Sequence, residues 1–338
     1  MPSTPPRVFV TRELPGGSGE GSPIARLRGA LGADAVDVWP EFDPPPHEVL
    51  LERTEGCTGL LCMINDRIDG AFLDARPGLR AVSQLAVGYD NIDLPACTER
   101  GVLVTNTPDV LSDATADMAW ALLMAAARRL PQGRDAIEQG RWGQWNPTWQ
   151  LSSEVTGRTL GILGPGRIAK AMAKRSTGFE MTVLYTGRSE KPDFPGTFVP
   201  LEELLERSDF ISVHVPLTDE TRGICDASFF ARMQPHAIFV NTSRGPVVDQ
   251  PALITALEDG TIAAAGLDVM TPEPLAPDDP LVHAPNIVLS PHVGSATVET
   301  RTKMAHLAVD GLLASMRGER VRHLLNPEAL EVQTKGRP

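Results

Sequence analysis

Three polar residues in the second half of the chain have the types that reduction of a carbonyl requires: Arg244, Glu273 and His292. An imidazole titrates near neutrality and can protonate the oxygen of a carbonyl that is receiving hydride. A carboxylate beside it fixes its orientation and favours its protonated form. A guanidinium clamps an adjacent carboxylate through two parallel N–H donors and polarises the neighbouring carbonyl. Each residue alone has an ordinary explanation as a surface arginine, a loop acid or a backbone-bonded histidine. Their settings are what inform. Arg244 follows the apolar run Ala237 to Thr242 in Thr242-Ser243-Arg244-Gly245. Glu273 stands in Thr271-Pro272-Glu273-Pro274, a stiff segment because proline fixes φ and pushes the preceding residue extended. His292 closes a further apolar run in Ser290-Pro291-His292-Val293-Gly294-Ser295. Together at strand ends, the trio reads as machinery for reducing a 2-oxo acid.

Such groups act together only if strand ends converge beside a hydride carrier, and ligands of open parallel sheets gather at the carboxyl ends of the strands. The segment Thr159 to Thr177, TLGILGPGRIAKAMAKRST, supplies an entrance for a dinucleotide. An apolar strand meets Gly164-Pro165-Gly166 and then a helix opening with Arg167 and Ile168. The first glycine permits the turn, the second lets backbone approach a pyrophosphate, Ala169 packs on the strand, and the helix N-terminus favours the anion. The next strand, Met181 to Tyr185, ends about twenty residues after Gly164, where an NAD site would carry Asp or Glu for the ribose 2′-hydroxyl. Here the chain reads Thr186-Gly187-Arg188-Ser189. With no carboxylate to repel a 2′-phosphate and with Arg188 and Ser189 to bind one, NADP(H) is the expected cofactor. A solvated surface arginine would read the same way, so NAD(H) stays open.

Around these motifs strand and helix alternate, as in parallel α/β sheets. A first series of strands is expected at Arg7 to Thr11, Ala35 to Trp39, Gly59 to Ile64, Leu79 to Leu85 and Val102 to Asn106, with helices such as Pro23 to Leu31 and Pro45 to Arg53 between them. A long helix capped by Ser112 or Asp113 runs to Leu130 and is apolar on nearly every face, hence buried. After a loop holding Trp142, Trp145 and Trp149, the second series comprises Thr159 to Leu163, Met181 to Tyr185, Phe198 to Val199, Phe210 to Val215, Ala237 to Thr242, Ala263 to Val269 and Ile287 to Ser290. Its continuous apolar runs suit buried parallel strands of one doubly wound nucleotide domain. The last helix, Thr297 to Met316, is expected to return to the first domain, followed by a frayed C-terminus.

Composition narrows the partners. A length of 338 residues accommodates two domains, and 42% hydrophobic with 22% charged residues is ordinary for a globular protein. A formal charge of -12 disfavours nucleic acid and anionic membrane, which need a basic face, so an anionic substrate must be captured by local donors. Cys57, Cys62, Cys97 and Cys225 form no C-x-x-C pair and are expected as reduced core residues. MPSTPPRVFV lacks the features of a signal peptide, and the apolar run Met118 to Ala127 is half a membrane span, so a cytoplasmic enzyme without a metal is the default. In the first series, Leu85-Ala86-Val87-Gly88-Tyr89-Asp90-Asn91-Ile92-Asp93 offers the backbone N–H groups of Val87 and Gly88 as an anion-binding nest for substrate. Spacing alone does not separate that reading from a plain strand-to-helix turn.

The ordered set AVGYDNID (86–93), VTNTPDVLSDATAD (104–117), GPGRIA, VHVPLTDET (213–221), NTSRGPVVD, AAAGLDV, the PEP loop and PHVGSAT resembles the D-isomer-specific 2-hydroxyacid dehydrogenases, and within them the glyoxylate and hydroxypyruvate reductases. The resemblance covers about Arg7 to Pro327. It implies catalytic roles for Arg244, Glu273 and His292. It also implies an α/β fold of two Rossmann-like doubly wound domains: a split substrate domain of residues 1–106 and 294–338, hinged to a cofactor domain of residues 107–293. Cofactor contacts are implied at Gly164, Pro165, Gly166, Arg167 and Ile168, at Gly187, Arg188 and Ser189, at Thr242, Ser243 and Arg244, at Asp268, and from His292 to Gly294. A homodimer is implied, with Trp142, Trp145 or Trp149 as candidates to reach a partner's pocket. Larger 2-oxo acids such as 2-ketogluconate, and a nicotinamide-sensing corepressor, share these motifs. Pro165 departs from the family pattern of a bulky apolar residue: it removes one N–H and is expected to restrict Gly164 to extended geometry.

Overall fold

Apolar runs too short for helices become the centres of two parallel sheets, because a sheet covered on both faces has no polar side. The computed structural model describes residues 6–17 and 19–334; the fraying expected at the C-terminus falls on 335–338, outside the described residues. The chain divides into two compact units, residues 1–111 with 296–338, and residues 112–295.

The first unit holds five strands: β1 (Val8–Val10), β2 (Val36–Val38), β3 (Gly59–Cys62), β4 (Ala81–Gln84) and β5 (Leu103–Thr105). They pair in parallel in the order β2-β1-β3-β4-β5. The final long helix, Val298–Arg317, packs on this sheet, burying Ala305, Ala308, Val309 and Leu312 among Val8, Val10, Leu61 and Ala81. Thr297 caps its start by accepting from the Thr300 N–H at 3.1 Å, and Gly318, at φ 68°, ends it. The buried Ser83 hydroxyl donates to the Ala308 carbonyl at 2.8 Å, which fixes the helix against β4. Beyond it, buried Asn326 accepts from the Val104 N–H and donates to the Val102 carbonyl, tying the C-terminal segment to β5.

The second unit holds seven strands: β6 (Thr159–Leu163), β7 (Thr182–Thr186), β8 (Thr197–Phe198), β9 (Phe210–Val213), β10 (Ile238–Asn241), β11 (Ala264–Leu267) and β12 (Ile287–Leu289). All pairs are parallel, in the order β12-β11-β10-β9-β6-β7-β8. Strand order reverses between β6 and β9, and that switch point opens a crevice at the carboxyl ends. The apolar helix Ser112–Ala127 lies on this sheet rather than spanning solvent: Gly266 lacks a Cβ that would sit 2.9 Å from that of Leu122, and Trp120 donates to the Met172 carbonyl at 3.1 Å while stacking on Phe179.

That helix ends at Ala127 instead of continuing to Leu130. Pro131 has no N–H for the Ala127 carbonyl and its ring would crowd it, so Arg129 turns left-handed at φ 52° and a separate helix, Leu130–Glu138, begins. The freed Ala127 carbonyl accepts from Ser153. Leu130, Ile137, Trp142, Trp145 and Leu151 are all exposed along this stretch. The four cysteines are buried and free, as expected.

His214 leaves β9, donating its backbone N–H to the Leu163 carbonyl at 2.8 Å, with its Nε2 2.9 Å from the Ser212 hydroxyl. Burial holds its imidazole down at about 4. Between the ordinary value of 6.5 and about 4, the unfolded chain takes up a proton that the folded chain refuses, so stability is lost as pH falls through that window. Urea denaturation at pH 5 against pH 7 should show this loss, about 2 kcal/mol from this group. In His214→Gln the same acidification should cost correspondingly less.

Candidate active site

At the exit of β10, fully buried Asn241 organises the turn that carries Arg244. Its Nδ2 donates to the Arg244 carbonyl at 2.9 Å, and its Oδ1 accepts from the Ser243 N–H at 2.9 Å and the Ser243 hydroxyl at 2.7 Å. Gly245 follows because nothing larger fits: a Cβ there would lie 1.8 Å from the Met270 carbonyl oxygen. The backbone after Arg244 therefore rests directly on the segment that leads to Glu273.

In that segment both Thr271–Pro272 and Glu273–Pro274 are cis. Glu273 Oε1 accepts from the Met270 N–H at 3.0 Å, and Oε2 lies 2.7 Å from His292 Nδ1. The two side chains are only 28% and 29% accessible. Burial pushes the Glu273 carboxyl up, but the hydrogen bond and charge of His292, the Met270 N–H and the Arg244 guanidinium outweigh it, leaving Glu273 below its ordinary value. An ionised carboxylate only accepts, so Nδ1 carries the proton and Nε2 is the nitrogen left for a substrate.

His292 adopts φ 53° and donates its backbone N–H to the Asp268 carbonyl at 2.8 Å. Asp268, buried at the end of β11, accepts from Val293 at 2.9 Å through one oxygen and from Gly294 at 2.7 Å through the other. A Cβ on Gly294 would stand 2.8 Å from that second oxygen, so the close approach demands glycine. The visible work of Asp268 is to hold the loop of His292.

The glycine turn lies at the switch point of the same sheet. Gly164 is not extended, as Pro165 led us to expect, but has φ 93°; a Cβ would meet Val215 at 2.7 Å and the backbone of His214 at 2.9 Å, so only glycine reconciles the turn with β9. Gly166 caps the helix Arg167–Ser176 without a side-chain bond, and a Cβ there would meet nothing within 4 Å. Ala169 is fully buried, and a Cβ on Gly187 would lie 2.6 Å from the Pro165 ring. The Thr242 hydroxyl is buried with no hydrogen-bond partner among the described residues. A helix start without a side-chain cap, a bare glycine surface and an orphaned hydroxyl fit a dinucleotide with its pyrophosphate near this turn. Arg188 and Ser189 follow β7 and are exposed.

Val87 and Gly88 belong to the other unit, after β4. Three successive carbonyls there are taken by the protein: Ala86 by the Thr107 N–H at 2.9 Å, Val87 by Asn106 Nδ2 at 2.7 Å, and Gly88 by Gln84 Nε2 at 3.3 Å. Gln84 is steadied by donation to Asn91 Oδ1 at 2.7 Å. In a trans peptide the N–H points opposite to the carbonyl, so anchoring residues 86 and 87 turns the N–H groups of Val87 and Gly88 outward. Sequence reasoning missed Asn241, Asn106 and Gln84, whose only signal is a polar amide closing an apolar strand.

Hydride chemistry on a bound dinucleotide is what a sheet with this switch point and this acid, base and cation supports, which makes the class an oxidoreductase. The comparisons agree. The family model for the NAD binding domain of D-isomer specific 2-hydroxyacid dehydrogenase matches residues 120–294. A glyoxylate reductase of Korarchaeum cryptofilum is 47% identical over 98% of this chain and 99% of its own length, and one of Thermococcus gammatolerans is 44% identical over 98% and 99%. The crystal structure of an NADPH-dependent glyoxylate/hydroxypyruvate reductase from Sinorhizobium meliloti, in complex with NADP and malonate, superposes with a TM-score of 0.82 at 33% identity, over 96% of this chain and 98% of that one. The chain belongs to the D-isomer specific 2-hydroxyacid dehydrogenases.

Replacing the buried carboxylate that holds the His292 loop should be costly. Asp268→Asn sets an amide donor against a backbone donor and is expected to lower stability by about 1–3 kcal/mol in urea denaturation. An unchanged midpoint would show that the loop does not depend on that pair of bonds.

Proposed function

We propose that the protein reduces glyoxylate, and hydroxypyruvate with it, using NADPH. The observation that carries this reading is the 2.7 Å contact between Glu273 and His292 Nδ1, which leaves Nε2 as a positioned acid, with the charge of Arg244 close enough to act on Glu273. The glyoxylate reductase relatives and the NADP complex of the Sinorhizobium meliloti enzyme support the choice of substrate and cofactor.

When bound, the reduced nicotinamide supplies hydride to the keto carbon. Arg244 pairs with the substrate carboxylate and polarises the carbonyl, and the outward N–H groups of Val87 and Gly88 bind the carboxylate as a nest binds an anion. His292 gives its Nε2 proton to the carbonyl oxygen as charge builds there, while Glu273 stabilises the imidazolium and keeps its ring oriented. The neutral imidazole then recovers a proton from solvent. Arg167 and Ile168 would offer helix-start N–H groups to the pyrophosphate, with Gly164, Pro165 and Gly166 shaping the turn, the Gly166 N–H donating to the Gly164 carbonyl at 2.8 Å. Gly187, Arg188 and Ser189 face the adenosine ribose, the latter two binding its 2′-phosphate. Thr242, Ser243 and the segment His292 to Gly294, held by Asp268, line the nicotinamide end.

We further propose a homodimer, in which a second copy covers the exposed Leu130, Ile137, Trp142 and Trp145. Four reduced thiols and the absence of any described helix long and apolar enough to cross a membrane support a cytoplasmic location.

An assay following NADPH or NADH oxidation with glyoxylate, hydroxypyruvate, pyruvate and 2-ketogluconate tests the whole reading; no turnover with any of them would sink it. His292→Gln should lower kcat by about two to four orders of magnitude. Glu273→Gln should lower kcat by about tenfold or more while leaving KM nearly unchanged, because the amide no longer fixes the ring and its Nδ1 proton. Arg188→Ala should weaken NADPH binding about tenfold and leave NADH binding nearly unchanged, as read by nucleotide fluorescence.

A further inference from the structure

A cavity of about 300 Å³ opens beside the glycine turn, between Pro165 and Gly166 on one side and Lys191 and Phe194 on the other, with Arg167 and Lys170 along its wall. That size is at the small end of ligand sites, fit for a phosphorylated sugar rather than a whole dinucleotide. The cavity gathers three cations in a chain whose formal charge is -12, so its local field opposes that of the protein as a whole.

The cations come from two stiff elements. Lys170 stands in the first turn of the helix Arg167–Ser176, its backbone N–H bonded to the Gly166 carbonyl at 2.9 Å. Lys191 lies on the loop after β7, where the buried Tyr185 hydroxyl accepts from its N–H at 2.9 Å and donates to its carbonyl at 3.1 Å. Phe194 packs on the Tyr185 ring at 4.5 Å and donates its own N–H to the Lys191 carbonyl at 2.9 Å. A surface lysine would not need a buried tyrosine clamped to both of its backbone groups. Asp193 also lines the cavity and offsets one of the three cations.

We propose that Lys170 and Lys191 form a second basic wall for the 2′-phosphate of NADP(H), in addition to Arg188 and Ser189. This rests on the NADPH reading and extends it to Lys170 on the helix after the glycine turn and to Lys191 further along the loop after β7. The pyrophosphate common to both cofactors belongs over the helix start after Gly166, and this cavity runs from that turn to the post-β7 loop, where ribose substituents are distinguished. Two ammonium groups from separate elements discriminate by charge without the planar geometry that an arginine demands.

Calorimetric titration of the full-length protein with 2′,5′-ADP, 5′-AMP and 5′-ADP, with NADPH and NADH followed by fluorescence, tests the assignment. Lys170→Ala and Lys191→Ala should each weaken 2′,5′-ADP and NADPH by about three- to tenfold, and the double variant by roughly the product. Binding of 5′-ADP and NADH should stay within about twofold, which also reports that each variant is folded. Equal weakening of 5′-ADP and NADH would assign the lysines to the pyrophosphate and overturn the proposal. Unchanged 2′,5′-ADP binding in both variants, with wild type still preferring it to 5′-AMP, would overturn it while leaving the NADPH reading intact. If wild type shows no such preference, the NADPH reading itself fails and this proposal with it.

Discussion

The hydrogen bond between Glu273 and His292 is the constraint around which the carboxyl edge of the second sheet is built. Each partner is held by backbone from a different strand exit, and these holdings form one continuous series. Asn241 ties the Arg244 turn to β10, Gly245 rests on Met270, Met270 donates to Glu273, Glu273 meets His292, and His292 with Val293 and Gly294 hangs on Asp268. Three strand ends are thereby fixed relative to one carboxylate. A shift at any step moves the acid relative to the cation, which is why two glycines, Gly245 and Gly294, sit where a Cβ would force the series apart.

The purpose of that pair is orientation rather than stability. Taking a carboxylate partly out of water costs free energy that its partners must return, and burial is the largest influence on Glu273 even though the net effect keeps it ionised. Exposed pairs such as Arg134 with Glu138 escape that cost and, screened by solvent, contribute little. A carboxylate held ionised beside an imidazole settles which nitrogen carries the first proton. Folding makes no such demand, and the proposed proton transfer does.

Much of this was legible in the residues. Every strand expected from an apolar run is present, since buried parallel strands have no polar alternation to blur them, and Arg244, Glu273 and His292 were marked by punctuation of glycine and proline. Strand ends were not legible: the run Phe210 to Val215 continues in composition, but the chain leaves the sheet at His214 to pass under Gly164. Gly164 itself defied the rule for residues before proline, because its contact with β9 demands a positive φ and glycine can supply it. Asn241, Asn106 and Gln84 were invisible for another reason. A buried amide is informative only once the carbonyl it meets is known, and that carbonyl is set by tertiary structure.

An acidic protein that handles anions faces a second constraint, because its overall field repels what it must bind. The solution here is local and largely uncharged. Val87 and Gly88 present N–H groups whose direction is enforced by three anchored carbonyls, and Gly166 opens a helix with no side chain to compete for its N–H groups. Oriented peptide dipoles act over a few ångströms and screen little with salt, whereas full charges act over a Debye length of about 8–10 Å. Full charges are needed only where an anion of greater charge must be told from a neutral hydroxyl, the role proposed for Arg188, Lys170 and Lys191. On that proposal, selectivity among carboxylate substrates falls to shape and selectivity among cofactors to charge, so the two can change independently in the same sheet.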